Sequence, residues 1–487
     1  MQDYIARLKE KYNMKKVLLG IVVSFVAVEL SILSVNLNQK IHFGIISVIL
    51  IVFLSYCFWK KAIFFLLIWI FISGAIRKWV LPQLSDVVFF FGHLILTGVY
   101  LRYYLTKSNQ RIILPNTRLI NFMLGLFSFW CLLCAINPQL PSILVGMLGL
   151  IIYLYYIPLA FIIPNIIESK EEIIKYLKII VFLSIPLLIL GIVQYFSPPL
   201  SPINYYVGRN QESLAFVGSH VRIASTFSYI SGYTAYLNVL ILITTYLLRS
   251  KTLSFKTSFI FNGILVISIV NLLMTGSRGP FYITIFSVFL FLLLTGSINR
   301  SFITKHLLTF LISLAIFISF VSFTSAGKDV YESFHSRGQE DIIPRIISTF
   351  TIPFLYSEDI GIYGKGLGST YQGIKGFVSQ SYYKKDIRVS IEEETYRILW
   401  EVGIFGFILV FAIRFAYLRF GWLLVKKSRD VDLKYCALVI TLFQIQFLVS
   451  LNSLQFNFTT SLIYWFLIGV LFTIPKLDKE RSQHATV

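Results

Sequence analysis

The chain has 487 residues, of which 56% are hydrophobic, 16% aromatic and only 14% charged, with a formal net charge of +20 and a mean hydropathy of +0.76. A soluble globular domain has about 25% charged and about 45–50% apolar residues, so soluble enzymes, nucleic-acid-binding modules and disulfide-built secreted domains are excluded. Apolar runs of about 20 residues follow one another closely, the length that crosses a hydrocarbon core of about 30 Å, and the chain reads as an all-α polytopic membrane protein.

Residues 1–16 form a basic N-terminus that runs into a full-length span, so no cleavable signal peptide is expected. About 14 spans follow (12 or 13 on other counts), at 17–37, 41–58, 62–80, 86–104, 118–136, 142–164, 174–196, 226–248, 257–275, 280–297, 303–325, 395–418, 432–451 and 455–475. Backbone polar groups must be satisfied internally in lipid, so each span is expected to be a helix. The chain divides into an N-terminal bundle (17–196), a core region with basic motifs at helix ends (197–325), one large loop (326–394), C-terminal helices (395–475) and a basic tail (476–487). With a cytoplasmic N-terminus, 27 of the 43 Lys and Arg fall on the connections expected inside, and every inside connection is basic. Both termini are therefore expected in the cytoplasm, and 326–394 on the opposite side. The net charge is read as topology plus attraction to anionic inner-leaflet lipids, with no nucleic-acid partner.

Three expected outer segments depart from a plain bundle. The connection 197–225 carries Arg209 and Arg222, and the tight turn MTGSRGP carries Arg278. The third, 326–394, is about 70 residues long, and structureless loops beyond about 12–15 residues are usually functional. It contains an amphipathic stretch, DIIPRIISTFTIPFLY, with Arg345, then YGKGLGST, and ends at Glu392, Glu393 and Glu394, just before Arg397. Arg222, Arg278, Arg345 and Arg397 all fall near the outer interface. Guanidiniums in one layer repel unless anions lie between them, and Arg binds phosphate oxygens bidentately; a lipid diphosphate head group answers that geometry. The plain alternative for Arg278 is contact with a lipid phosphate.

Crowding of like charges at Glu392–Glu394 readies one carboxylate as a proton acceptor; simple capping of the next helix is the alternative. Glu394, Arg397 and Glu401, spaced i, i+3, i+7, share one helix face. Gly364, Gly366 and Gly368 lack the G-K-[ST] of a phosphate-binding loop and read as a flexible turn. Cys57, Cys131, Cys134 and Cys436 lie in apolar runs and read as packing residues, and His93 and Glu29 as interhelical hydrogen-bonding groups. No metal-ligand spacing or nucleotide motif occurs, so no metal or cofactor is expected.

These segments resemble a known family. TGSRGPFYI resembles the TGSRG-type motif that opens a helix in the O-antigen ligases and O-antigen polymerases. RIASTFSYISGYTAYL, with Arg222, is similar to their R-x-x-[GS]-T-F segment, and Arg345 with YGKGLG to elements of their large periplasmic loop. EEETYRILWEVGIFG is similar to the end of that loop, where an acceptor-activating residue precedes an I-L-x-E-x-G run. The resemblance covers about residues 195–410. The ligases carry a His nine residues before the Glu that matches Glu401; here that position is Glu392, closer to the polymerase-type members.

The resemblance implies a helical-bundle (GT-C-like) glycosyltransferase in the bacterial inner membrane, with its active site facing outward. Its donor would be an undecaprenyl-diphosphate-linked glycan, its acceptor a second glycan, and a chain-length regulator a candidate partner. Arg222 and Arg278, with Arg345, Arg397 and Arg209 in support, would bind the diphosphate, and Glu392 or Glu394 would take the acceptor proton. The leading expectation is polymerisation of lipid-linked repeat units. Ligation of a finished glycan to a lipid or protein is the second. A lipid-linked oligosaccharide flippase is the third, although a transporter should carry midplane charges and two similar halves, which this sequence does not show.

Overall fold

The apolar runs become long helices because nothing else satisfies their amides away from water. The computed structural model describes residues 37–106, 117–208, 214–217, 219–249, 253–296, 327–328, 330–332, 342–355, 360–371, 394–449 and 453–484. Among these, eleven helices are long and apolar enough to cross a membrane, each coinciding with an expected span. The expected span 41–58 corresponds to helix α1 (Leu37–Cys57), whose apolar part Ile46–Cys57 is shorter than a full crossing. The expected spans 17–37 and 303–325, with Glu29, Arg209, Glu392 and Glu393, lie outside the described residues. The protein is thus an all-α, multi-pass membrane protein.

Contacts divide it into two units. In the first, residues 37–63 and 90–106 bring α1 against helix α3 (Ser85–Leu105). Gly98 permits the crossing: a Cβ there would lie 2.4 Å from the Val52 carbonyl. Arg102 sits over the Tyr56 ring at 5.3 Å.

The second unit holds most of helix α2 (Trp59–Ala75), the start of α3, and the remaining described residues. In order these are α4 (Arg118–Ala135), α5 (Ile143–Leu154), α6 (Ile157–Ile162), α7 (Lys170–Phe196), a short hairpin, α8 (Ile230–Arg249), α9 (Phe255–Met274), α10 (Arg278–Gly296), α11 (Ile342–Leu355), α12 (Glu394–Lys427), α13 (Val431–Leu448) and α14 (Phe458–His484). The hairpin pairs Phe216 with Val221 and Val217 with His220. Helix α8 is central: 94% of its spanning window is buried, and it packs against α7, α9, α10, α13 and α14. Its hydropathy is low for a span because Tyr233, Thr234, Asn238 and Thr244 face other helices rather than lipid. Each finds a partner or packs fully, as interhelical polar groups do: Tyr233 donates to Asn271 at 2.8 Å and Asn238 to Gln446 at 2.8 Å.

Within the second unit, helix ends meet in separate groups. In one, Lys170 bridges Asp430 and Asp432 at 3.1 and 3.2 Å, and the Arg429 and Asp430 amides donate to Asp478. A separate group joins residues 76–85, 222–228 and 275–278, through Arg77 and Lys78 on Ser228 and Ser225 and Arg222 on Thr275 and Ser277.

One expected span needs correction. The apolar run predicts one helix over 395–418, with Glu394 closing the loop just before it. Within α12, Gly403 has φ 66° and ψ −175°, a left-handed conformation that breaks the helix. Residues 394–402 form a short limb that folds back, and the spanning helix begins after the break.

Candidate active site

Arg222 follows the hairpin strand His220–Val221, in a loop that leads into α8. Its amide donates to the Ala215 carbonyl at 2.9 Å, and its carbonyl accepts from the Tyr206 hydroxyl at 2.6 Å, so the residue is held on both sides. Its guanidinium is directed onto the turn between α9 and α10. Nε donates to the Thr275 carbonyl at 2.7 Å and Nη2 to Ser277 Oγ at 2.9 Å. The next residue, Arg278, is the first of α10 and is half-buried. Two arginines 56 positions apart are thus joined through one turn. The positive dipole end of α10 adds to the local preference for an anion.

The same loop is pinned from beneath. Ser225 has φ 48°, the one non-glycine with positive φ among the described residues. Such a conformation persists only where neighbours determine it. The Gln194 side chain, at the end of α7, does this with both of its atoms. Oε1 accepts from the Ser225 amide at 2.7 Å and the Ala224 amide at 3.3 Å; Nε2 donates to the Ser225 and Ile203 carbonyls at 3.1 and 2.7 Å. Ser225 Oγ donates to the Leu187 carbonyl at 2.7 Å.

Two further basic side chains reach this loop from a segment that was not among the site candidates in the sequence. After α2 the chain forms a π-helical turn, Ile76–Val80. Lys78 Nζ donates to the Ser225 carbonyl at 2.9 Å. Arg77 donates through Nη1 to Ser228 Oγ at 2.9 Å and through Nε to Ser85 at 3.0 Å, with its guanidinium 5.1 Å from the Phe89 ring. Gly74 makes this approach feasible, since a Cβ there would lie 2.1 Å from the Thr226 carbonyl. A signal was present in the sequence: Arg77 and Lys78 are adjacent basic residues on a connection where the charge bias expects few.

The carboxylate side is arranged differently from the expectation. Glu394 is 3% exposed, and both of its oxygens are taken: one by Arg414 in a buried ion pair, the other by the Leu454 amide. Arg414 also donates to the Phe447 carbonyl at 2.7 Å. Glu394 is therefore a structural partner of Arg414 and not a free proton acceptor.

Glu401, fully buried, accepts from the amides of Gly368 at 3.0 Å and Thr370 at 2.9 Å and from the Thr370 hydroxyl. Arg397 donates to Thr370 Oγ1 and to the Thr370 carbonyl, both at 3.0 Å, and lies 3.5 Å over the Phe456 ring. Arg397 and Glu401 do share a face, but they use it to hold the loop 360–371. That loop, read as a flexible turn, is docked: Gly364, Gly366 and Gly368 have φ of 70°, 109° and 81°. Lys365 donates to the Trp400 carbonyl at 2.7 Å, Leu367 to Cys134 at 3.1 Å, and Asn137 to Gly364 at 3.1 Å. Trp130 completes the attachment by donating to the Val402 carbonyl at 2.9 Å.

The structure thus brings Arg222 and Arg278 together and adds Arg77 and Lys78. Arg397 and Glu394 fall in separate clusters. The backbone of Arg345 lies on α11, where the amphipathic helix was expected. Arg209, Glu392 and Glu393 lie outside the described residues. Gln194 and Arg414 were not singled out as partners in the sequence, because each acts on a residue far away along the chain. Compared with protein-family models and with curated proteins, the sequence returns no match to either.

Proposed function

We propose that the protein is a membrane-embedded glycosyltransferase that polymerises undecaprenyl-diphosphate-linked oligosaccharide repeat units at the outer face of a bacterial inner membrane. The observation that carries this reading is the seating of the Arg222 guanidinium on the Thr275–Ser277 turn directly before Arg278. Fixed cations beside a helix N-terminus suit an anion that gains charge during a reaction, and preorganised groups of this kind contribute several kcal/mol. In the proposed reaction an acceptor hydroxyl attacks the anomeric carbon of the donor. The bond from that carbon to the diphosphate oxygen breaks, its electron pair leaves with the lipid diphosphate, and the hydroxyl proton passes to a carboxylate. With Glu394 engaged by Arg414, Glu392 is the carboxylate proposed for that proton. Arg397 and Glu401 act in support by anchoring the loop 360–371 beside the start of α12.

Deletion of the gene, followed by sizing of lipid-linked and surface glycans, tests the reading. Single lipid-linked repeats should accumulate, and complementation with Arg222→Ala or Arg278→Ala should leave them unextended while the protein accumulates normally. Accumulation of full-length lipid-linked polymer would replace the polymerase with a ligase. Repeat units trapped on the inner leaflet would replace it with a flippase.

A further inference from the structure

We propose that Lys78, with Arg77 beside it, forms the second half of a diphosphate cradle and makes the site select a lipid diphosphate over a lipid monophosphate. This rests on the reading of Arg222 and Arg278 given above and extends it to two residues with no assigned role.

The first support is local geometry. In an α-helix, consecutive side chains diverge by about 100°. The π-helical turn at Ile76–Val80 allows two consecutive residues to meet one loop: Arg77 reaches Ser228 and Lys78 reaches Ser225. Single π-turns of this kind recur at functional sites. The second support is what Lys78 touches. An ammonium has three hydrogens to donate. One goes to the neutral Ser225 carbonyl, and the Trp79 ring lies 5.4 Å from Nζ. Among the described residues no carboxylate forms an ion pair with Lys78. A lysine head group held by one neutral carbonyl beside a ring takes its charged form most readily with an anion next to it.

The third support is position. Ser225 is three residues from Arg222, at most about 11 Å along the chain. Arg222 opens the loop 222–228 and rests on Ser277, the residue before Arg278, while Lys78 and Arg77 meet the middle and end of the loop. Cations on both sides of one short loop match a ligand with two linked phosphoryl groups better than a single phosphate. The chemistry gives the second pair a purpose. A sugar-linked lipid diphosphate carries two ionised oxygens, and the departing lipid diphosphate gains a third as the sugar leaves. Lys78 is placed to meet that added charge, while the strained Ser225 and its Gln194 clamp hold the Lys78 acceptor in place.

The test uses the purified full-length protein in lipid nanodiscs, titrated with farnesyl diphosphate and, in parallel, farnesyl monophosphate. The wild type should bind the diphosphate about 10- to 100-fold more tightly, the range of one or two charge-assisted contacts. Lys78→Gln keeps a hydrogen-bond donor for Ser225 but drops the charge. It should lose the preference with an unchanged ligand-free melting temperature, and Lys78→Arg should retain most of it. If Lys78→Gln discriminates as the wild type does, while Arg278→Ala loses diphosphate binding, the Lys78 proposal is overturned and the Arg222–Arg278 site stands. If the wild type binds neither compound, both fall. If the preference depends on Lys78 but gene deletion leaves glycans unchanged, the cradle stands and the polymerase reading falls. Should Lys78→Gln fail to fold, Arg77→Gln carries the same comparison, and an undiminished preference there overturns the pairing of the two residues.

Discussion

Arg414 and Glu394 form a buried ion pair although twenty residues separate them within what hydropathy presents as one helix. A straight helix would hold them about 30 Å apart. The break at Gly403 folds the limb 394–402 back along the helix that follows, and the pair ties the two together. With side chains 4% and 1% exposed, these charges have no water to fall back on. Removing one partner leaves the other unpaired in a low-dielectric interior, at a cost of about 3–5 kcal/mol.

Glu394→Gln and Arg414→Ala should therefore each lower the melting temperature and yield of the detergent-purified protein sharply. The double substitution Glu394→Met with Arg414→Met should recover part of the loss, because it removes both buried charges together and leaves only the Leu454 amide and the Phe447 carbonyl without these side-chain partners. A double variant as unstable as either single one would show that the site needs its charges for more than mutual neutralisation.

Gly403 should not tolerate alanine. Its φ is 66°, and a Cβ would lie 2.1 Å from the Ile362 carbonyl, which is part of the docked loop. The backbone strain alone costs about 1–3 kcal/mol. Gly263→Ala is the matched control, with nothing within 4 Å of the added carbon. Thermal unfolding followed by tryptophan fluorescence should separate the two variants by several degrees.

Ser225 should accept glycine and reject valine. Glycine adopts positive φ without strain, whereas a β-branched residue does not. Elongation, read as the length distribution of surface glycan on a gel, should be near normal in Ser225→Gly and collapse to single repeats in Ser225→Val. Gln194→Leu should resemble Ser225→Val, since it strips partners from the amides of Ala224 and Ser225 together.

Arg222→Lys should behave as a loss-of-function change. The guanidinium reaches the Thr275 carbonyl and Ser277 Oγ in two directions, which a single ammonium does not reproduce. On the proposed mechanism the elongation rate should drop about 10²- to 10³-fold, the effect of deleting one preorganised charge-stabilising group. Protein levels in the membrane should be unchanged, and a normal glycan ladder would remove this arginine from the reaction.

Hydropathy made the spans legible because each run of about 20 apolar residues has one stable state in lipid. It did not show the break at Gly403 within the span 395–418, because a backbone break at a single glycine leaves the apolar count untouched. Arg222 and Arg278 stood out for the same reason as the spans: charge next to an apolar run is costly and therefore conspicuous. Arg77 and Lys78 were conspicuous in the same way, but nothing along the chain said which loop they meet, 151 and 147 positions away.

From its residues alone, the chain determined that it is a helical membrane protein and where its charged residues interrupt the apolar runs, because lipid penalises every exception locally. Tertiary structure alone decided that Arg77 and Lys78 meet the loop that Arg222 opens, that Glu394 is spent on Arg414, and that Glu401 holds a glycine loop. Those outcomes depend on which helix ends lie side by side, and packing sets that between residues too distant in sequence to announce one another.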